Sequence, residues 1–166
     1  GAYMDDCTLT TRDISEPRII RNVDMINHYN TNEWYNSENS YMENINVQGL
    51  VGGGGAINVR GKNINNLTVT NVDLDLWTYP ASNEITTYKG WTLRGADANI
   101  NFRSGAYLYG HFRFENLTID TERIASGLPA ININNDLGTL TIKDSEIIDK
   151  DATSGVVINN ESILTK

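Results

Sequence analysis

A chain of 166 residues fits one domain or one piece of a longer protein. Its net charge of −8, with basic residues scattered singly, excludes a nucleic-acid surface, which needs a clustered positive patch; no apolar run approaches the ~18 residues of a membrane helix. One cysteine, Cys7, permits no internal disulfide, and His28 and His111 lie far apart, so neither a metal site nor a cofactor is expected.

From the N-terminus, residues 1–18 stand before any clear repeat and read as a cap or linker, the leading Gly-Ala having the look of a tag scar. From residue 19 onward a phrase "N-apolar-x-apolar" recurs. It begins at Asn22 (NVDM), Asn44 (NINV), Asn66 (NLTV), Gly90 (GWTL), Asn116 (NLTI) and Thr139 (TLTI). The steps are 22, 22, 24, 26 and 23 residues, and a seventh copy near Asn160 is degraded because Glu161 takes an apolar slot. Such a period fits a leucine-rich repeat or a β-helix coil. No stretch sustains i, i+3, i+4 apolar spacing, so the strand reading holds throughout. Short strands at 56–59 (AINV) and 130–133 (AINI) add a second strand per coil.

If each coil stacks on the next at ~4.8 Å, equivalent residues form columns. Two inward columns follow: Val23/Ile45/Leu67/Trp91/Leu117/Leu140 and Met25/Val47/Val69/Leu93/Ile119/Ile142. The Asn that heads most copies becomes a ladder of side-chain amides at a bend, satisfying backbone groups there. The same alignment sets Asp120 against Lys143 and Arg123 against Glu146 as opposite-sign neighbours.

Other short signals carry less. "GGGG" at 52–55 is a wide turn, since Gly61-Lys62 lacks the spacing and the Ser/Thr of a phosphate loop. Asn66, Asn116 and Asn160 head N-x-S/T sequons, the first two already explained by the repeat. A column Thr68/Thr118/Thr141 lacks the paired Thr-x-Thr rows of an ice-binding face. The last residues, ILTK, are still patterned, as if the solenoid continued in a longer chain.

Nine of the fourteen aromatic residues fall between Trp77 and Phe114, where the coils are also longest. Residues 76–91 read as a projecting loop bent at Pro80. Sugars stack on flat aromatic faces, so Trp77, Tyr79, Tyr88, Tyr107 and Tyr109 are candidates for a glycan-binding patch. Trp91, Phe112 and Phe114 read instead as core. Hydrolysis of a polysaccharide needs two acids ~5–9.5 Å apart. Asp73 and Asp75, both outward on one strand and about 7 Å apart, offer one pair; Glu84 and Asp97 offer another. Arg94 and Arg103, with Asp97, hint weakly at lyase chemistry.

The coils NLTVTNVDL, NLTIDTERI and TLTIKDSEI resemble the right-handed parallel β-helix superfamily of pectate lyases and phage tailspikes. The resemblance covers about residues 19–164, to an architecture rather than one family, and no catalytic motif carries over. It implies an extracellular or virion location, glycan ligands and, for tailspikes, a homotrimer. The sequence therefore predicts an all-β, right-handed parallel β-helix of about seven coils over residues 19–166. Its expected role is a rigid shaft or receptor-binding domain of a tail fibre or spike that binds host-surface glycan. Two alternatives stand beside it: a polysaccharide-degrading enzyme using Asp73/Asp75 or Glu84/Asp97, and a structural spacer without ligand.

Overall fold

A computed structural model describes residues 3–9, 19–28, 32–35, 41–51, 56–60, 63–76, 84–102, 111–125, 127–133, 139–151, 156–158 and 164–165. Every regular element among them is a strand. The first nine are β1 (Tyr3–Leu9), β2 (Ile19–His28), β3 (Asn32–Tyr35), β4 (Tyr41–Gly49), β5 (Ala56–Arg60), β6 (Ile64–Thr70), β7 (Asp73–Leu76), β8 (Ile85–Lys89) and β9 (Thr92–Ala96). The rest are β10 (Ile100–Phe102), β11 (His111–Glu115), β12 (Thr118–Glu122), β13 (Ile131–Ile133), β14 (Thr139–Lys143), β15 (Glu146–Asp149), β16 (Val156–Ile158) and β17 (Leu164–Thr165).

These strands make two sheets. The 11-stranded first sheet runs β1-β2-β4-β6-β8-β11-β14-β17, with β9, β12 and β15 alongside; the 6-stranded second sheet runs β16-β13-β10-β7-β5-β3. Each ladder is parallel. The chain is thus a parallel β-helix, with the lumen between the sheets as its core. The coil count differs from the expected seven. The second sheet stacks six strands, while the first extends below residue 19 because β1 pairs with β2.

One bend organises the first sheet. Asp6, Asn22, Asn44, Asn66, Gly90, Asn116 and Asp144 all have φ between 49° and 68°. The flanking pairs set each of them over the next, as Asp5↔Arg21 and Cys7↔Val23 do for Asp6 and Asn22. Asn, Asp and Gly are the residues that tolerate this left-handed conformation, because a short polar side chain bonds locally or no Cβ is present. The expected amide ladder is formed here. Asn66 Nδ2 donates to Asn44 Oδ1 at 3.1 Å, Asn44 Nδ2 to Asn22 Oδ1 at 2.9 Å, and Asn22 Nδ2 to Asp5 Oδ1 at 2.9 Å. At Gly90 the ladder stops: a Cβ there would sit 2.3 Å from Asn66 Oδ1.

The inward columns hold as far as Leu117 and Ile119, with every member through that rung buried. Each such aliphatic side chain contributes roughly 1.5–3 kcal/mol. The last rung is displaced from the expected register. Leu140 pairs with Phe112 and Ile142 with Phe114, while Ile147 stacks on Ile119 and Ser145 lies against Leu117. Asp144, not Thr139, therefore heads the final copy. The charge pairs shift with it: Asp120 meets Lys150 at 3.0 Å and Arg123 meets Asp149 at 2.7 Å, while Lys143 aligns with Glu115. In the threonine column Thr92 stands between Thr68 and Thr118, and Glu146 rather than the expected Thr141 follows Thr118.

Candidate functional site

Four of the five aromatic candidates, Trp77, Tyr79, Tyr107 and Tyr109, lie outside the described residues. Their positions follow the C-terminal ends of β7 and β10, adjacent strands in the second sheet with Leu76 opposite Phe102. The fifth is a correction. Tyr88 is 0% exposed and cannot present its ring to a ligand. It sits on β8, which begins at Ile85, and alternates inward with buried Thr86. Tyr88 packs on Trp91 at 4.4 Å between ring centroids and on Phe114 at 5.4 Å; Phe102 packs on Phe112 at 5.2 Å. The Trp91 indole N–H, which would otherwise be a buried orphan, donates to Ile64 O at 2.9 Å. Much of the aromatic window is therefore a plug of rings filling the lumen where the coils are longest.

The carboxylates are mostly committed to structure. Asp75 alternates with inward Leu74 and Leu76, as expected, yet it is 0% exposed rather than solvent-facing. Asn101 Nδ2 donates to its Oδ1 at 2.8 Å, and Asn132 Nδ2 donates to Asn101 Oδ1 at 2.9 Å. Asp97 directly follows β9 in the left-handed region and accepts the N–H groups of Ile124 and Ala125 at 2.9–3.0 Å. Glu84 is exposed just before β8, so Glu84 and Asp97 stand at opposite ends of the β8–β9 run. At ~3.3 Å per strand residue that separation far exceeds the ~5–9.5 Å of a glycosidase pair. Only Asp73 and Asp75 keep the spacing of a pair, with the second sealed from water. Among the described residues no three His, Cys, Asp or Glu side chains converge as a metal would need.

A feature missed by the motif alignment lies on the outer face of the first sheet. Asp5, Arg21, Glu43 and Asn65 stack in one column, which continues through Lys89, Glu115 and Lys143. Arg21 reaches Asp5 at 3.2 Å and Lys89 reaches Glu115 at 3.6 Å. A hydrogen bond from Asn22, then one from Tyr3 and the charge of Arg21, hold the Asp5 carboxyl below its ordinary value. Burial alone would raise Glu115, but the hydrogen bond and charge of Arg113, with Lys89 and Lys143, lower it overall. Beside this column Tyr3, Ile19 and Tyr41 form an exposed apolar stripe over three successive rungs. The signal was available: each of these residues stands two positions before the charged column. It emerges only when the short, Asp-headed first coil is included.

The class defined by this architecture is the parallel β-helix. Compared with protein-family models, with curated proteins and with solved structures, the chain matches none.

Proposed function

We propose that the chain is a rigid shaft segment of a surface-attachment protein of the tail-fibre or tailspike kind, on a virion or outside a cell. In this reading the segments after β7 and β10 contact host-surface glycan. The observation that supports it is continuous stacking: one core and one bend column run through the strands, as a load-bearing rod requires. The burial of Asp75 and the backbone bonds of Asp97 favour a shaft over an enzyme. Titration against capsular polysaccharide and lipopolysaccharide tests the reading. Binding that is lost in Trp77→Ala supports glycan contact by these segments, and no binding to any host-surface glycan removes that contact. Release of reducing ends or unsaturated sugars would replace the shaft reading by an enzymatic one.

A further inference from the structure

We propose that two copies of this chain pack antiparallel through the outer face of the first sheet, about a two-fold axis beside Asn65. The inference goes beyond the shaft reading and does not depend on it. What carries it is the order of signs in the outer column. Stacking within one chain asks only that neighbours differ in sign. Plain alternation over seven positions would read the same from both ends, and an antiparallel copy would then meet like with like. Neutral Asn65 resets the phase, so that Glu43 below it and Lys89 above it are opposite. Read from one end the column is minus, plus, minus, neutral, plus, minus, plus. Read from the other it is the inverse.

A two-fold axis along the strand direction at Asn65 exploits that inversion. Glu43 meets the partner's Lys89, Arg21 meets the partner's Glu115, and Asp5 meets the partner's Lys143. The stripe of Tyr3, Ile19 and Tyr41, 61%, 36% and 38% exposed, then lies on the partner's Thr141, Arg113 and Thr87, where a guanidinium and two hydroxyls can cover it. In the adjoining bend column, built on Asn66, Asp6 falls opposite the partner's Asp144, so six opposite-sign contacts along the charged column stand against two like-sign ones at the bend. No like charges oppose one another in the charged column or in the column of Tyr3, Ile19 and Tyr41. Laying the charged column on itself in the same direction would instead set every charge against its own copy. The arrangement is isologous and closes at two chains.

Sedimentation of the full chain tests this. At low salt the mass should be twice 18.5 kDa, returning to one chain in molar salt as the exposed pairs are screened. Glu43→Lys or Lys89→Glu alone creates two like-charge contacts and should weaken the dimer roughly a hundredfold. The double variant should restore it. Within one chain residues 43 and 89 are two rungs apart with Asn65 between, so rescue must act across the interface. Should charge reversal impair folding, Glu43→Cys and Lys89→Cys, each with Cys7→Ser, are mixed and oxidised; a mixed disulfide is expected in excess of either symmetric one. A one-chain or three-chain mass at low salt, failure of the double variant to rescue, or dominance of symmetric disulfides would overturn the proposal.

Discussion

Two amide ladders climb this solenoid, one at an open bend and one sealed behind the second sheet. At the bend Asn66 donates to Asn44, Asn44 to Asn22 and Asn22 to Asp5; behind the second sheet Asn132 donates to Asn101 and Asn101 to Asp75. The chemistry and the direction are the same, and both end on a carboxylate, the acceptor-only group suited to a donor-led row. Their surroundings differ. Amides at the bend trade their bonds with water, so each hydrogen bond nets about 1 kcal/mol. Behind the second sheet no water replaces a lost partner. The bend Asn is thus needed first for its left-handed backbone, whereas Asn101 is needed to satisfy its neighbours.

That contrast can be tested by substitution. The largest effect is expected for Asn101→Ala, which strips a partner from both Asp75 and Asn132. It should cost about 3 kcal/mol, read as a lower urea midpoint. At the bend, Asn44→Ala must hold a Cβ in the left-handed region and should cost about 1–2 kcal/mol. Asn44→Gly keeps that backbone at no steric cost and loses only the water-exposed bonds, so its loss should be about 1 kcal/mol or less. Equal losses for Ala and Gly would show that the amide, not the backbone, governs the bend.

The smallest effect concerns acid. The carboxyls of Asp5 and Glu115 titrate below their ordinary values of 3.8 and 4.5 when folded. A depressed folded value means their contribution is complete above the unfolded values and is lost as pH falls through the folded ones. Thermal midpoints should therefore drop below about pH 4.5, with a shallower drop in Asp5→Asn and Glu115→Gln. An unchanged pH profile in both variants would remove these two carboxyls from the account.

Much of the fold was legible because stacking forces like residues into like positions. Leu67, Leu117, Val69 and Ile119 announce the lumen, and Asn22, Asn44 and Asn66 announce the bend. The final coil misleads for a physical reason. In the last two of these coils an apolar-x-apolar step also precedes the bend, Phe112/Phe114 and Leu140/Ile142, so "TLTI" before Asp144 imitates the phrase that belongs after it. Ser145 in an apolar slot hides the true copy, and Asp in place of Asn at 6 and 144 hides both end coils. Of the candidate site, less could be read. Tyr88 alternates with Thr86 whether its strand begins at Ile85 or the whole segment projects, and only the strand start decides between core and surface. Asp75 faces away from Leu74 and Leu76, as alternation requires, but cover from outside the sheet is not written in the strand's own residues.

The direction shared by both amide rows bears on how the protein is made. Synthesis proceeds from Asp5 toward Asn66 and from Asp75 toward Asn132, so each newly emerged turn brings the donor to an acceptor already fixed on the turn before it. The growing end of the nascent rod is its own template, with the earliest aspartate in each row serving as the foundation stone.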